Sequence, residues 1–123
     1  MKFPARYTMK YLLGYTTVPS KAVGKKIATI LLKNNLAACV NILPNALSMF
    51  QSKDKIDQQK EFIMIFKTTE RRWGDAETLI KKHHAYECPC IVAIEISKGS
   101  KSFFDWIQES TIPAVRQKRV RGK

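Results

Sequence analysis

The sequence predicts an α+β domain, and three observations carry that prediction. Strand-like and helix-like apolar patterns alternate along the chain in the order strand, helix, strand, strand, helix, strand. The run Phe62 to Phe66 is apolar at every position, as in a strand buried on both faces of a sheet. Pro44 interrupts the second strand; having no N–H to give a ladder, it assigns that strand to a sheet edge or to a bulge. Right-handed crossovers then put both main helices on one face of an antiparallel sheet with the first and third strands central. That is the ferredoxin-like β-α-β-β-α-β sandwich, here followed by an extra C-terminal helix.

Tyr11 to Thr17 is aromatic and β-branched and reads as the first strand. Pro19 punctuates it, and Ser20 is placed to cap a helix. Val23, Ile27, Ile30 and Leu31 then recur on one helical face, leaving Lys21, Lys25, Lys26 and Lys33 mostly to solvent. Asn35 suits a left-handed stop, with Leu36 folding back as its apolar contact. The second strand runs from Ala37 through Leu43, recovers at Leu47 to Phe50, and turns through Ser52 to Lys55 into the third. Thr69 is placed to cap a second helix from about Arg71 to His83, with Ala76, Ile80 and His83 along one side. Ile91 to Ile96 forms the fourth strand. The last helix opens on Ser102-Phe103-Phe104-Asp105, a capping-box pattern, with Phe103 and Ile107 turned inward.

A chain of 123 residues with 45% apolar composition suits one domain with one core. Residues 1–10 read as an N-terminal extension, 11–111 as the domain and 112–123 as a basic tail. No apolar run approaches the roughly 18 residues of a membrane span, and Tyr11 to Tyr15 is too short for a signal-peptide core. The expectation is a soluble, cytoplasmic protein with no membrane partner. Cys39, Cys88 and Cys90 are an odd set and a poor disulfide framework, which suits a reducing compartment. Of the net charge of +12, the segment Arg116 to Lys123 supplies +5, while the other 115 residues carry 17 basic and 10 acidic side chains. The tail reads as a solubilising terminus and leaves nucleic-acid contact open.

No Ser-His-Asp or Cys-His arrangement has a distinguishing context, and five glycines form no phosphate-cradling loop, so catalysis is not expected. Glu61, Lys67 and Glu87 have acid–base chemistry but no substrate to apply it to. The candidate site is instead a cluster of metal-ligand types: His83, His84, Glu87, Cys88 and Cys90 lie within eight residues. Thiolate and imidazole suit copper and zinc. An extended Cys88-Pro89-Cys90 would turn both sulfurs to one side, toward a single ion such as Cu(I). The bland readings are buried thiols acting as small hydrophobes and histidines favoured by a helix C-terminus. Cys39 reads as a core or interface thiol, Asn41 as a partner for backbone groups near the bulge, and Tyr86 with Glu87 as holders of a subunit contact. The hairpin from Ala37 to Phe66 is longer than a compact sheet needs, and its edge from Ala37 to Phe50 is uncharged, which predicts self-association.

From about Leu12 to Ser110 the chain resembles the CutA family of divalent-cation tolerance proteins. The matching pieces are Thr17-Val18-Pro19-Ser20, the run LAACVNILP at Leu36 to Pro44, and Glu61 ahead of a strand ending in Lys67-Thr68-Thr69. They continue with His84-x-Tyr86-Glu87-x-Pro89 and Asp105-Trp106-Ile107. The resemblance implies a ferredoxin-like protomer, a homotrimer built by hairpin exchange at sheet edges, and binding of a divalent metal ion near subunit clefts. Copper is the first candidate and zinc the second, and the role is response to metal ions without catalysis. It also implies that Cys39, Asn41, Glu61, Lys67 and Tyr86 lie at the interface or cleft. Cys90 stands where the family usually has an acid, and Thr16 where some members carry a thiol. A second reading is an RNA-binding module, because Lys60-x-Phe62-x-Met64-x-Phe66 echoes the third-strand aromatics of RNA-recognition folds. A third, by fold analogy, is a small-anion sensor in the inter-subunit cleft.

Overall fold

The computed structural model of the chain describes residues 9–113. Most of the N-terminal extension (residues 1–8) and most of the basic tail (114–123) lie outside the described residues. The elements are β1 (Tyr11–Val18), α1 (Lys21–Lys33), β2 (Cys39–Ser52), β3 (Lys55–Thr69), α2 (Glu70–His83), β4 (Ile91–Glu95) and α3 (Lys101–Ser110). The sheet order is β2-β3-β1-β4, with every neighbouring pair antiparallel. This is the ferredoxin-like arrangement with an added helix, and the strand carrying Pro44 is at an edge and bulged as well. The register of β2 against β3 shifts between Leu43 and Ala46, and Asn45 adopts φ 67°.

Local chemistry sets the ends of α1. Ser20 Oγ accepts from the Val23 N–H at 3.2 Å. At the other end Asn35 turns left-handed at φ 55°. Its N–H bonds the Leu32 carbonyl at 3.2 Å, and the Leu36 N–H bonds that of Leu31 at 2.9 Å. These two bonds make a Schellman stop, with buried Leu36 as its apolar contact. Arg72, from α2, donates to the Asn34 and Asn35 carbonyls at 3.2 and 3.3 Å, tying the second helix to the end of the first.

The core lies between the helices and one face of the sheet. Gly14, Thr16 and Val18 of β1 and Met64 and Phe66 of β3 point toward the helices and are buried, against Ile27, Leu31, Ala76 and Ile80. Phe66 stacks on Trp73 of α2, ring centroids 5.8 Å apart. The opposite face carries Tyr15, Thr17, Ile63 and Ile65, half-buried, and Val92 and Ile94, exposed. The stretch Phe62–Phe66 is therefore not buried on both faces: Ile63 and Ile65 stay half-buried on the side of the sheet away from α1 and α2. The aromatics of the RNA-recognition reading are also on the wrong side. Phe62 and Phe66 pack into the helical core, and no base can stack on them.

α3 corrects a second expectation. Its cap is Ser100, whose Oγ accepts from the Phe103 N–H at 3.3 Å, not Ser102. The inner face is set by Phe104 and Ile107, three residues apart on the helix, and not by Phe103 and Ile107. Phe104 stacks on Tyr11 at 4.3 Å and Ile107 is fully buried, while Phe103 turns outward beside Trp106.

β1 ends opposite Phe62, yet β2 and β3 continue from the Ala46–Glu61 pair to Ser52–Lys55. Among the described residues this outer segment is a two-stranded ribbon with no third strand. Leu47, Met49 and Ile56 on it are 59, 63 and 73% exposed. Two strands alone are marginal in water, so the ribbon calls for something to pack against.

Candidate interface and metal site

The functional candidates gather where the ribbon leaves the sheet. His84 follows the last residue of α2. Its Nδ1 accepts from the Tyr86 N–H at 3.1 Å, which places the proton on Nε2, and Nε2 donates to the Thr17 carbonyl at 2.8 Å. With both nitrogens engaged, the ring pins the loop after α2 to the end of β1. Tyr86 then reaches the ribbon root, its hydroxyl donating to Glu61 Oε2 at 2.7 Å. Gln59 Nε2 donates to the Tyr86 oxygen and to Glu61 Oε2 at 3.4 Å.

Glu61 is buried, and burial alone would raise its pKa. Hydrogen bonds from Ser48, Tyr86 and Thr17, with the nearby His84 ring, outweigh burial and hold the carboxyl below its ordinary value. Tyr86 is pushed up to about 12 by burial and by the Glu61 carboxylate. Near neutral pH Glu61 is therefore ionised and Tyr86 protonated. Neither exchanges a proton readily, and the pair works as an anchor for the loop, not as an acid–base couple.

On the open sheet face, Lys67 Nζ donates to Asn41 Oδ1. Asn41 thus meets a side-chain ammonium and not the backbone groups of the bulge. Cys39 is half-buried, opposite Lys67 in the register.

The predicted metal ligands separate within the protomer. His83, on the last turn of α2, lines the crevice between the helices with Ile27, Ile30 and Leu79. His84 is held by its two hydrogen bonds. Glu87, Cys88 and Cys90 are exposed in the following loop, and both thiols are free. Among the described residues no three of His, Cys, Asp and Glu come together as a metal site. The cause is local: the helix ends at His83, so adjacent histidines leave in different directions. Sequence reasoning missed Thr17, Ser48 and Gln59. They are small or neutral residues from separate strands, joined to Glu61 only by the register of the sheet, and no local pattern marks them.

Residues 12–110 match the family described as CutA1 divalent ion tolerance protein. The chain belongs to the CutA1 family. It is 44% identical over 96 residues to the divalent-cation tolerance protein CutA of Archaeoglobus fulgidus, covering 78% of this chain and 93% of that one. It is 32% identical over 104 residues to the chloroplastic protein CutA of Arabidopsis thaliana, covering 85% of this chain and 57% of that one. The solved periplasmic CutA of A. fulgidus superposes with a TM-score of 0.81 at 41% identity, over 83% of this chain and 99% of the other. CutA1 from Oryza sativa gives 0.82 at 32% identity, over 85% and 96%. The CutA1 match spans every piece that forms the anchor, from Thr17 through Glu61 to Tyr86. Those names assign the relatives to chloroplast and periplasm, so family membership does not fix a compartment.

Proposed function

We propose that this CutA1 protein is a non-catalytic homotrimer that binds a divalent metal ion, copper first and zinc second, and takes part in the response to such ions. The observation that carries the assembly is the unpartnered ribbon, whose exposed Leu47, Met49 and Ile56 extend past a sheet with an apolar open face. Two edge-strand surfaces of this kind bury each other on association, and exchange of ribbons between protomers covers both. Free thiols at Cys88 and Cys90 suit a reducing compartment, and we place the protein in the cytoplasm.

The donor set fits a soft or borderline ion. Cys88 and Cys90 are exposed thiols one residue apart, with the Glu87 carboxylate beside them. The Tyr86–Glu61 bond fixes their loop to the ribbon root, where a neighbouring protomer would lie. We assign Cys88, Cys90 and Glu87, which do not converge on one point within the protomer, as the donors that one chain would supply to a site completed by a second chain. His84 holds the loop and is not one of them. Native mass spectrometry with and without copper and zinc tests both parts together. The expected spectrum is a trimer with a whole number of ions per protomer, lost in Cys88→Ser/Cys90→Ser. A monomer at micromolar concentration removes the assembly, and unchanged metal uptake in the double variant removes the ligand set.

A further inference from the structure

The net charge of the described body lies on one layer. α1 carries Lys21, Lys25, Lys26 and Lys33, all exposed, and no acidic residue. α2 adds Arg71, Arg72, Lys81 and Lys82 against Glu70, Asp75 and Glu77, so the two helices hold a net +5. The other described residues carry seven basic and seven acidic side chains and sum to zero. The sheet side is apolar and neutral; the helix side is cationic.

Helix energetics do not account for these lysines. Lys21 is the first residue of α1, at the positive end of the helix dipole, where a cation is disfavoured. Lys21 and Lys25 are four apart on the same face and repel. Among the described residues none of the four α1 lysines has an ion-pair partner. Elsewhere the chain interleaves its charges, as in Lys101–Asp105 and Glu77–Lys81. A face kept only for solubility needs no such segregation.

The chemistry of the layer selects among polyanions. Its one aromatic residue, Trp73, is turned inward onto Phe66, and the only exposed large apolar side chain of α1 is Leu32. No aromatic of α1 or α2 is placed to wedge into a bilayer or to stack on unpaired bases. What remains is a set of ammonium groups spread over the exposed side of α1, which suits the phosphates of a double helix and reads no sequence. We propose that the helical layer is a sequence-independent docking face for double-helical nucleic acid, with Lys21, Lys25, Lys26 and Lys33 as phosphate contacts. This surface lies across the molecule from the open sheet face and uses none of the candidate metal ligands.

The test is anisotropy titration of a fluorescent mixed-sequence DNA duplex with the full chain, from low to physiological salt. Affinity should fall linearly on logarithmic axes as salt rises. Lys25→Glu/Lys26→Glu should weaken binding by about tenfold or more and make the salt slope shallower by about two. Both positions are exposed, so an unchanged thermal midpoint confirms that the variant is folded. A loss in this variant supports the proposal whatever the tail contributes. A second full-length variant replaces Arg116, Lys118, Arg119, Arg121 and Lys123 by Gln. Duplex binding that survives the helix variant and disappears in the tail variant overturns the proposal. So does absence of duplex binding at low salt, or tighter binding to phosphatidylserine vesicles than to duplex.

Discussion

Tyr86 donates its hydroxyl hydrogen to the carboxylate of Glu61 at 2.7 Å, joining the loop after α2 to the root of the ribbon across 25 residues of sequence. Glu61 is buried and ionised, so this is a charge-assisted bond. Tyr86→Phe keeps the ring and removes the donor. It should lower the unfolding free energy by about 1.5–3 kcal/mol, measured by denaturant titration with an unchanged slope. A change below a few tenths of a kcal/mol would mean that Gln59, Ser48 and Thr17 suffice for the carboxylate.

The same pair sets a pH dependence at each end of the scale. The Glu61 carboxyl is held below its ordinary value in the folded chain. Below neutrality the unfolded chain takes up the proton first. The stability Glu61 contributes is complete above the unfolded carboxylate pKa of about 4.3 and is lost as pH falls through the lower folded value. Tyr86 behaves in the opposite sense, raised from 10.0 to about 12. There the unfolded chain loses its proton first, and stability declines as pH rises between those values. Urea midpoints taken across pH should show both limbs, and Tyr86→Phe should flatten the alkaline one.

Gly14 lies mid-strand in β1, opposite Phe66 in β3. A Cβ at this position would overlap the Phe66 ring, which cannot retreat because it is fully buried and stacked on Trp73. Gly14→Ala should therefore cost about 1–3 kcal/mol as overpacking. Shrinking the opposing side chain should relieve it. In a double-mutant cycle, Gly14→Ala combined with Phe66→Leu should be less destabilising than the sum of the single changes. Strict additivity would show that the ring is not the obstacle.

Gly14 also illustrates which features the sequence makes readable. Ser20, Asn35 and Pro44 act through their own backbones and hydroxyls, so the start of α1, its stop and the edge position of β2 were open to local reasoning. Strand order followed from those, and with it the fold. Features made by contact between distant segments were not. Nothing near Gly14 announces the Phe66 ring, and nothing near Thr17, Ser48 or Gln59 announces Glu61. His83 and His84 are neighbours in sequence, yet the end of α2 between them sends one to the inter-helix crevice and the other to the Thr17 carbonyl. Ser100 and Ser102 are equivalent as letters, and only the hydrogen bond to Phe103 N–H separates them. Tyr86, Glu61, Asn41 and Lys67 stand out through the family resemblance, but their actual partners come from the fold: the sheet register for Asn41 and Lys67, and the loop after α2 for Tyr86 and Glu61.

Thr16 gives a prediction of the opposite sign. It lies on the helix side of β1, opposite Met64 in β3 and Ile91 in β4, and is fully buried. Its hydroxyl has no hydrogen-bond partner among the described residues. An unsatisfied buried hydroxyl carries a desolvation cost of about 1–3 kcal/mol that valine, of nearly the same shape, does not. Thr16→Val should therefore stabilise the fold by about 1 kcal/mol, a rise of roughly 4–8 °C in Tm for a domain of this size if the domain unfolds alone. Thr16→Ser separates shape from polarity, since it keeps the hydroxyl and removes the methyl packed against the core. It should be the less stable of the two by more than the lost methyl accounts for. A Thr16→Val protein that melts below the parent would show instead that the hydroxyl is satisfied in solution, by a buried water or by a group from a second chain.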